Sequence, residues 1–508
     1  FTCMSLQIIA GASGSGKSYR LFKYIIESSI ENPDKNYIVV VPEQFTMSTQ
    51  KELVRLTPNH AISNIDVVSF ARLAYRVMEE TGRAGTAVMD EIGKSLILRR
   101  VAARKEDELT ILGGNMKRIG YISEMKSIIS EFTQYSVSPQ RLEKLIEDGE
   151  AFGALEYKLK DLLIIYKAFQ EEIKDRYITP EEVLSVLADC AGISKILKDS
   201  IIAFDGFTGF TPIQYNVIEK LLQVSDKVII TITLEGQYDA SKEPLDHELF
   251  CLSKTTIKKL TDHANNIGVS VEDIEYIEGN HRLGDNDELL FLERNLFRYS
   301  RKSYENEPEK VKVIRCLNPE KELEFIAGEI NRLIREEGLR YRDFSIVTGD
   351  VATYSRLAPH VMKAYNIPVF MDYKRDVLHN PFIECIRAAL SVVSDNFSFN
   401  SMFRYIKCGL LDIPADDIFM TENYCIAKGI KGRKKWGRTW KNYKNSLFTD
   451  DDIDRINEAR EKTCKSLFAL ADSFKGNSTV REKTLGLYAF LQEINAQQQL
   501  HAMELKFT

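Results

Sequence analysis

Leu6-Gln-Ile-Ile-Ala-Gly-Ala-Ser-Gly-Ser-Gly-Lys-Ser18 runs from an apolar stretch through a glycine-rich loop into the start of a helix. Leu6–Ala10 reads as a buried strand, and after Ser18 the residues Leu21, Phe22, Ile25, Ile26 and Ile30 recur at helical spacing. Between them, Gly11, Ala12, Ser13, Gly14, Ser15, Gly16, Lys17 and Ser18 fit the pattern of glycine, four residues, then Gly-Lys-Ser. That spacing has a mechanical reason. Glycines let backbone N–H groups turn inward around phosphate oxygens, and the following helix adds the positive end of its dipole. The lysine reaches the β- and γ-phosphates, and the serine hydroxyl serves Mg²⁺. The pattern predicts ATP and Mg²⁺ at residues 11–18. A purely structural glycine turn is the weaker alternative.

Outward from the loop, strand and helix alternate. Tyr37-Ile-Val-Val-Val41 ends at Pro42 and Asp66-Val-Val-Ser69 follows, which predicts a parallel sheet. From about residue 88 to 198 long amphipathic stretches take over, among them Glu91–Arg104, Tyr121–Tyr135 and Leu155–Tyr177. Strand patterns return at Ile201-Ile-Ala-Phe204 and Val228-Ile-Ile-Thr-Ile-Thr-Leu234. The economical reading is one P-loop sheet domain, residues 4–87 plus 198–285, interrupted by a helical insert at 88–197. A charged connector, Asp285–Lys310, leads to a second alternation. Its strand candidates are Val311–Cys316, Phe344–Thr348 and Ile367–Met371, with a helix at Glu320–Glu337. Residues 308–385 are therefore expected to begin a second sheet domain, and 386–508 to be mostly helical. The fold class is α/β.

Composition narrows the functional classes. With 44% hydrophobic and 28% charged residues, the chain has core material for several soluble domains. No apolar run approaches the length of a membrane span, and no charged-then-apolar leader precedes the P-loop strand. The eight cysteines are scattered without a C-x-x-C, as expected of reduced thiols in a cytoplasmic protein. A net charge of −6 argues against a globally basic nucleic-acid coat but leaves room for a local basic channel. Phe1-Thr-Cys ahead of Met4 reads as a leftover, and Gln497–Thr508, lacking a stop signal, reads as part of something longer.

Two sheet domains with helical inserts resemble the superfamily 1 helicase layout, with two RecA-like domains. Shorter segments narrow the resemblance. Val41-Pro-Glu-Gln-Phe-Thr46, Ser69-Phe-Ala-Arg-Leu-Ala-Tyr-Arg-Val77 and Phe204-Asp-Gly-Phe-Thr-Gly-Phe-Thr-Pro-Ile-Gln214 resemble the AddB/RexB family. So do Ile367-Pro-Val-Phe-Met-Asp-Tyr-Lys374 and Glu422-Asn-Tyr-Cys-Ile-Ala-Lys-Gly-Ile-Lys-Gly432. These are B subunits of bacterial ATP-dependent helicase/deoxyribonucleases, about twice this length. The resemblance covers Leu6 to about Trp436 and implies their N-terminal, helicase-like half. It further implies an AddA-type motor/nuclease partner, single-stranded DNA and double-strand ends as ligands, and resection for recombinational repair. In the family a nuclease with a 4Fe-4S cluster lies in the other half. Its ligands are not recognisable in this chain.

The chemistry beside the P-loop is incomplete. In a working P-loop ATPase a second strand ends in an acidic pair, the first Asp holding Mg²⁺ and the next Glu polarising the attacking water. Ile201–Phe204 leads to Asp205, so Ser18 and Asp205 are the expected Mg²⁺ ligands, but the next residue is Gly206. A loop Asp capping the next helix is the alternative for Asp205. Positioned general bases contribute roughly 10²–10⁴-fold, so hydrolysis is expected to be slow. The superfamily's γ-phosphate arginine after Phe344–Thr348 is replaced by Gly349-Asp350, and Arg356 is not assigned that role. With no H-E-x-x-H and no G-x-S-x-G, no catalytic residue is named.

Loops at the carboxyl ends of parallel strands form the ligand crevice of open α/β sheets. The resemblance makes these loops a single-strand channel that recognises a short regulatory sequence, Chi. It carries that role to Gln44, Thr46, Phe70, Arg72, Tyr75 and Phe210. Aromatic faces stack on unpaired bases and Arg or Gln reads base edges. Equally, Phe70, Leu73 and Val77 at helical spacing suit a core. A second candidate is Lys431–Lys444, with seven cations, no acid and both tryptophans, of which Lys434 and Lys435 are singled out. A solvated loop with Trp436 and Trp440 turned inward explains it equally. Rival readings are an active superfamily 1 ATPase, a small-molecule kinase, and a scaffold with a vestigial P-loop.

Overall fold

Side chains along a strand point alternately to opposite faces, and that period of two builds the first core. In the strand β1 (Ser5–Gly11), Leu6, Ile8 and Ala10 enter one apolar cluster and Ile9 the other. β2 (Tyr37–Val40) and β3 (Ile65–Val68) follow, then the short β4 (Ala87–Val88) and β5 (Tyr177–Ile178). β6 (Ile201–Phe204) sends Ile202 and Phe204 one way, Ile201 and Ala203 the other. β7 (Lys227–Thr233), β8 (Ser270–Val271) and β9 (Glu275–Ile277) complete the strands among the described residues. This computed structural model describes residues 4–507 except 84–86, 116–118, 149–152, 175, 285, 372–376, 444–445 and 477. Asp372–Lys374 of the motif quoted above and Lys444 of the basic stretch therefore lie outside the described residues.

The protein is α/β with a parallel sheet ordered β3-β2-β6-β7-β1-β8, β9 also pairing with β1. Both faces are covered, so its central strands are continuous hydrophobic runs. On one face lies helix Lys17–Glu31, which buries Leu21, Phe22, Ile25 and Ile26. Ile30, at the same spacing, is exposed. The other face takes Phe70–Glu80, Val183–Cys190, Pro212–Leu222 and Cys251–Asn266. β2 and β6 are neighbours in space although a long helical excursion separates them in sequence.

That excursion has its own core, formed by helices Glu91–Arg104, Ile119–Gln134 and Ala154–Ile173. The Lys94 side chain is fully buried in it, its ammonium 3.1 Å from Glu181 and bonded to Ser130. A buried cation persists only with such partners.

Residues 314–508 form a second compact unit. Helices Pro319–Glu337 and Val351–Ala364 pack together around Leu323, Ala327, Ala358 and Met362. A larger cluster joins Pro381–Ser394, Phe399–Ile406, Ala415–Lys428, Asp450–Ser473 and Val480–Glu493. The segments 311–316, 344–348 and 367–371, strand candidates by sequence, form no ladder among the described residues. A strand needs a neighbour to supply its hydrogen bonds. Here 344–348 and 367–371 instead line a cavity of about 660 Å³, with Val347 93% and Phe370 90% exposed. No helix among the described residues is long and apolar enough to cross a membrane.

Candidate nucleotide site and nucleic-acid interface

The sheet order sets the site. β7 lies between β1, which feeds the phosphate loop, and β6, which leads into Asp205. Lys17 and Ser18 open the helix directly after the loop, where N–H groups point outward unpaired. Gly14, at φ +83°, gives the loop its turn, and a Cβ there would meet Asn280 Oδ1 at 2.6 Å. Both Gly14's freedom and its missing side chain are therefore used.

Lys17 Nζ donates to the carbonyls of Gly11, at 2.9 Å, and Ala12, at 2.8 Å. Burial lowers its pKa. Asp205 works in the opposite direction, and the positive Arg282 lowers it further. Ser18 Oγ donates to Asp205 Oδ1 at 2.9 Å, joining two residues far apart in sequence. Asp205 is buried, and it does not cap the next helix: there Thr211 N donates to Gln214 Oε1 at 2.9 Å. The Ser15 hydroxyl, also buried, has no partner among the described residues. One carboxylate and one hydroxyl beside a phosphate loop fit Mg²⁺, a hard cation held largely by phosphate and water oxygens.

Sequence reasoning missed a strap over this loop. His281 N and Arg282 N donate to Gly14 O at 2.9 and 3.2 Å, and Asn280 Nδ2 donates to Ser13 O at 2.9 Å. Arg282 thus brings a second cation to the loop. Its distance in sequence hid it, and the only local signal was the end of β9 just before it. Gly349-Asp350, read as a lost arginine position, has a local duty: Asp350 caps helix Val351–Ala364 by accepting from Thr353 N at 3.1 Å.

Gly206 carries a further constraint. Its φ is +79°, a left-handed backbone that costs an ordinary residue roughly 1–2 kcal/mol. The water-polarising glutamate is therefore disfavoured here by the backbone as well as absent. Three other carboxylates, Glu235, Glu278 and Glu293, line a small cavity with Gly11 and Ala12. Glu235 and Glu293 pair with Arg298, at 2.7 and 3.5 Å.

Residues 8–293 match the family model described as ADDB, N-terminal. The chain belongs to the AddB family. It is 38% identical to the B subunit of the ATP-dependent helicase/deoxyribonuclease of Lachnoclostridium phytofermentans, over 99% of its own length and 44% of that protein. The Clostridium tetani protein of the same name is 35% identical over 97% of the chain and 44% of its own length. The Clostridium acetobutylicum protein is 31% identical, again over 99% and 44%. The chain thus spans less than half the length of these curated relatives.

In this AddB chain the candidate DNA residues divide by exposure. Gln44, Arg72 and Tyr75 are exposed, and Thr46 is half-buried with its hydroxyl on Glu43 O at 2.9 Å. Arg72 Nε sits 3.2 Å from Glu43 and so ties the loop holding Gln44 to helix Phe70–Glu80. Phe70 is buried together with Leu73 and Val77. Its ring packs among Phe204, Phe207 and Phe210, with centroids 5.4, 5.5 and 6.3 Å away. Phe210 is half-buried at the edge of this cluster. Gln44, Arg72 and Tyr75 are thus exposed, whereas Phe70 belongs to the packed aromatic cluster.

The basic stretch is organised differently. Both its tryptophans turn inward: Trp436 is fully buried and Trp440 stacks on Tyr424 at 5.2 Å. Arg460 Nη1 donates to Trp436 O at 3.1 Å, and Asn457 bonds the backbone of Trp440 on both sides at 2.8 Å. Arg433 pairs with Asp472 at 2.8 Å. Lys435 is exposed, with Nζ on Gly429 O at 2.8 Å, and Lys434 is exposed. The aromatics fold this segment, leaving lysines on its surface. Among the described residues no group of three or more His, Cys, Asp or Glu side chains is placed to hold a metal.

Proposed function

We propose that this chain is the helicase-like half of an AddB-type protein, holding ATP·Mg²⁺ with little turnover while gripping single-stranded DNA. The carrying observation is the meeting of Lys17, Ser18, Asp205 and Arg282 at the carboxyl end of the sheet, beside a left-handed Gly206. Lys17 and Arg282 would take the phosphates' negative charge, and Ser18 with Asp205 would hold Mg²⁺. Bound there, the metal would supply charge neutralisation to the phosphates. In this reading the second unit begins another RecA-like domain of a superfamily 1 arrangement. The whole cytoplasmic protein would work with an AddA-type motor partner, resecting double-strand ends for recombinational repair. Its nuclease and 4Fe-4S cluster would lie in the remaining polypeptide.

Turnover by the chain with single-stranded DNA should stay below about 1 s⁻¹, the low end of ordinary enzyme rates. Gly206→Glu should not raise it, and should cost roughly 1–2 kcal/mol of stability because of the backbone at that position. A phosphate-release assay and a urea melt check both parts. One observation favours a second reading, an active ATPase: Glu278 shares a cavity with Gly11 and Ala12. A rate well above 1 s⁻¹ that Glu278→Gln abolishes would establish it.

For DNA, the exposed Gln44, Arg72 and Tyr75 would form the channel rim, with Phe70 and Phe210 shaping its floor. The Lys434–Lys435 surface would neutralise further phosphates. Reversing both charges, Lys434→Glu with Lys435→Glu, should flatten the salt dependence of single-strand binding. The log–log slope should fall by about 0.7 for each phosphate no longer neutralised. Fluorescence anisotropy across a salt series reads this directly, and an unchanged slope removes the surface from the account.

A further inference from the structure

We infer that Thr231, in the middle of β7, is the positioning residue that aims the Asp205 carboxylate at the metal. The inference rests on the reading of Ser18 and Asp205 as Mg²⁺ ligands. Its starting point is a chemical mismatch. β7 is otherwise aliphatic where it is buried, with Val228, Ile229, Ile230 and Ile232 all inside the core, and Thr231 sits among them only 4% exposed. Valine has almost the same shape and would fill the position without taking a hydroxyl out of water. Packing alone therefore gives no reason for threonine.

The register supplies one. Phe204 on β6 pairs with Ile230 on β7, so the next residues, Asp205 and Thr231, stand level at the end of that ladder. Thr231 Oγ1 donates to Asp205 Oδ1 at 2.6 Å, a short bond between buried groups. Ser18 Oγ donates to the same oxygen from the other side of β7, at 2.9 Å. The two donors differ in what a cation would do to them. A Ser18 hydroxyl that gives a lone pair to Mg²⁺ can keep its O–H on Asp205, but its position is then set by the metal as well as by the carboxylate. Thr231, on a rigid central strand, keeps its hold and leaves the carboxylate directed at the metal. Groups that orient a metal ligand in this way typically account for roughly 10–100-fold in metal affinity.

The test compares wild type, Thr231→Val, Thr231→Ser and Asp205→Asn in the full chain. The Kd of a fluorescent ATP analogue is measured in EDTA and in excess Mg²⁺, and the ratio of the two reports the metal's contribution at the protein. Thr231→Val should reduce that ratio about 10- to 100-fold relative to wild type. Its affinity in EDTA should match wild type, because Lys17 and the loop are untouched. Thr231→Ser, which keeps the hydroxyl, should restore the wild-type ratio. A Thr231→Val ratio equal to wild type overturns the inference, and so does equal loss of affinity with and without Mg²⁺, which marks a purely structural role. If wild type binds no nucleotide, or Asp205→Asn leaves the ratio unchanged, the metal-site reading itself falls and takes the inference with it.

Discussion

Lys17→Ala is expected to weaken ATP binding by roughly 30- to 1,000-fold, about 2–4 kcal/mol, the usual loss when one partner of a buried, charge-assisted pair is removed. The ammonium lies on the loop, bonded to the carbonyls of Gly11 and Ala12, in surroundings whose burial lowers its pKa. Phosphate oxygens arriving there would meet a poorly hydrated cation, where each charge-assisted bond counts for more than in water. Stability should hardly change. The variant loses two bonds but also relieves a partly desolvated charge close to Arg282. Calorimetric titration with ATP·Mg²⁺, with a thermal melt as control, separates the two effects. An affinity within about threefold of wild type would show that the loop's lysine is idle and remove Lys17 from the nucleotide site.

The second large effect is structural. Trp436→Ala should destabilise the C-terminal unit by about 3–5 kcal/mol, the cost typical of emptying a large aromatic site in a packed core. Trp436 is fully buried, its ring lies 5.1 Å from Trp440, and its carbonyl anchors the Arg460 guanidinium. Urea unfolding of the chain should show this unit melting early, while Lys434→Glu leaves the transition in place. A loss below about 1 kcal/mol would mean that the tryptophan is not the keystone its burial implies. The contrast matters for the proposal: within one basic stretch the rings build the fold, and Lys434 and Lys435 are left exposed, where the proposed phosphate contacts would be made.

How far sequence reading reached depended on whether a signal was local. β1, the loop and helix Lys17–Glu31 were legible because strand, glycines and helical spacing follow one another within one stretch of chain. Ile201–Phe204 was legible for the same reason, being a continuous apolar run buried on both faces. Asp205 could be suspected, but only the register of β6 beside β7 brings it to Ser18 and Thr231. The strap at Asn280–Arg282 was invisible, since it reaches the loop through the pairing of β9 with β1. Phe70 shows the ambiguity in its plainest form. The same helical spacing serves a core or a stacking platform, and only its neighbours Phe204, Phe207 and Phe210 place it within the packed cluster. The segments 344–348 and 367–371 have strand composition, yet composition supplies no partner for their backbone.

Under the proposed function, this P-loop holds a nucleotide without hydrolysing it. The most direct measurement is a titration of the chain with ATP·Mg²⁺ in the presence of single-stranded DNA, followed by separation of ATP from ADP in the same sample. Saturation at one ATP per chain with the nucleotide recovered intact is the expected result. Absence of saturable binding, or conversion to ADP faster than about 1 s⁻¹ per chain, would contradict it.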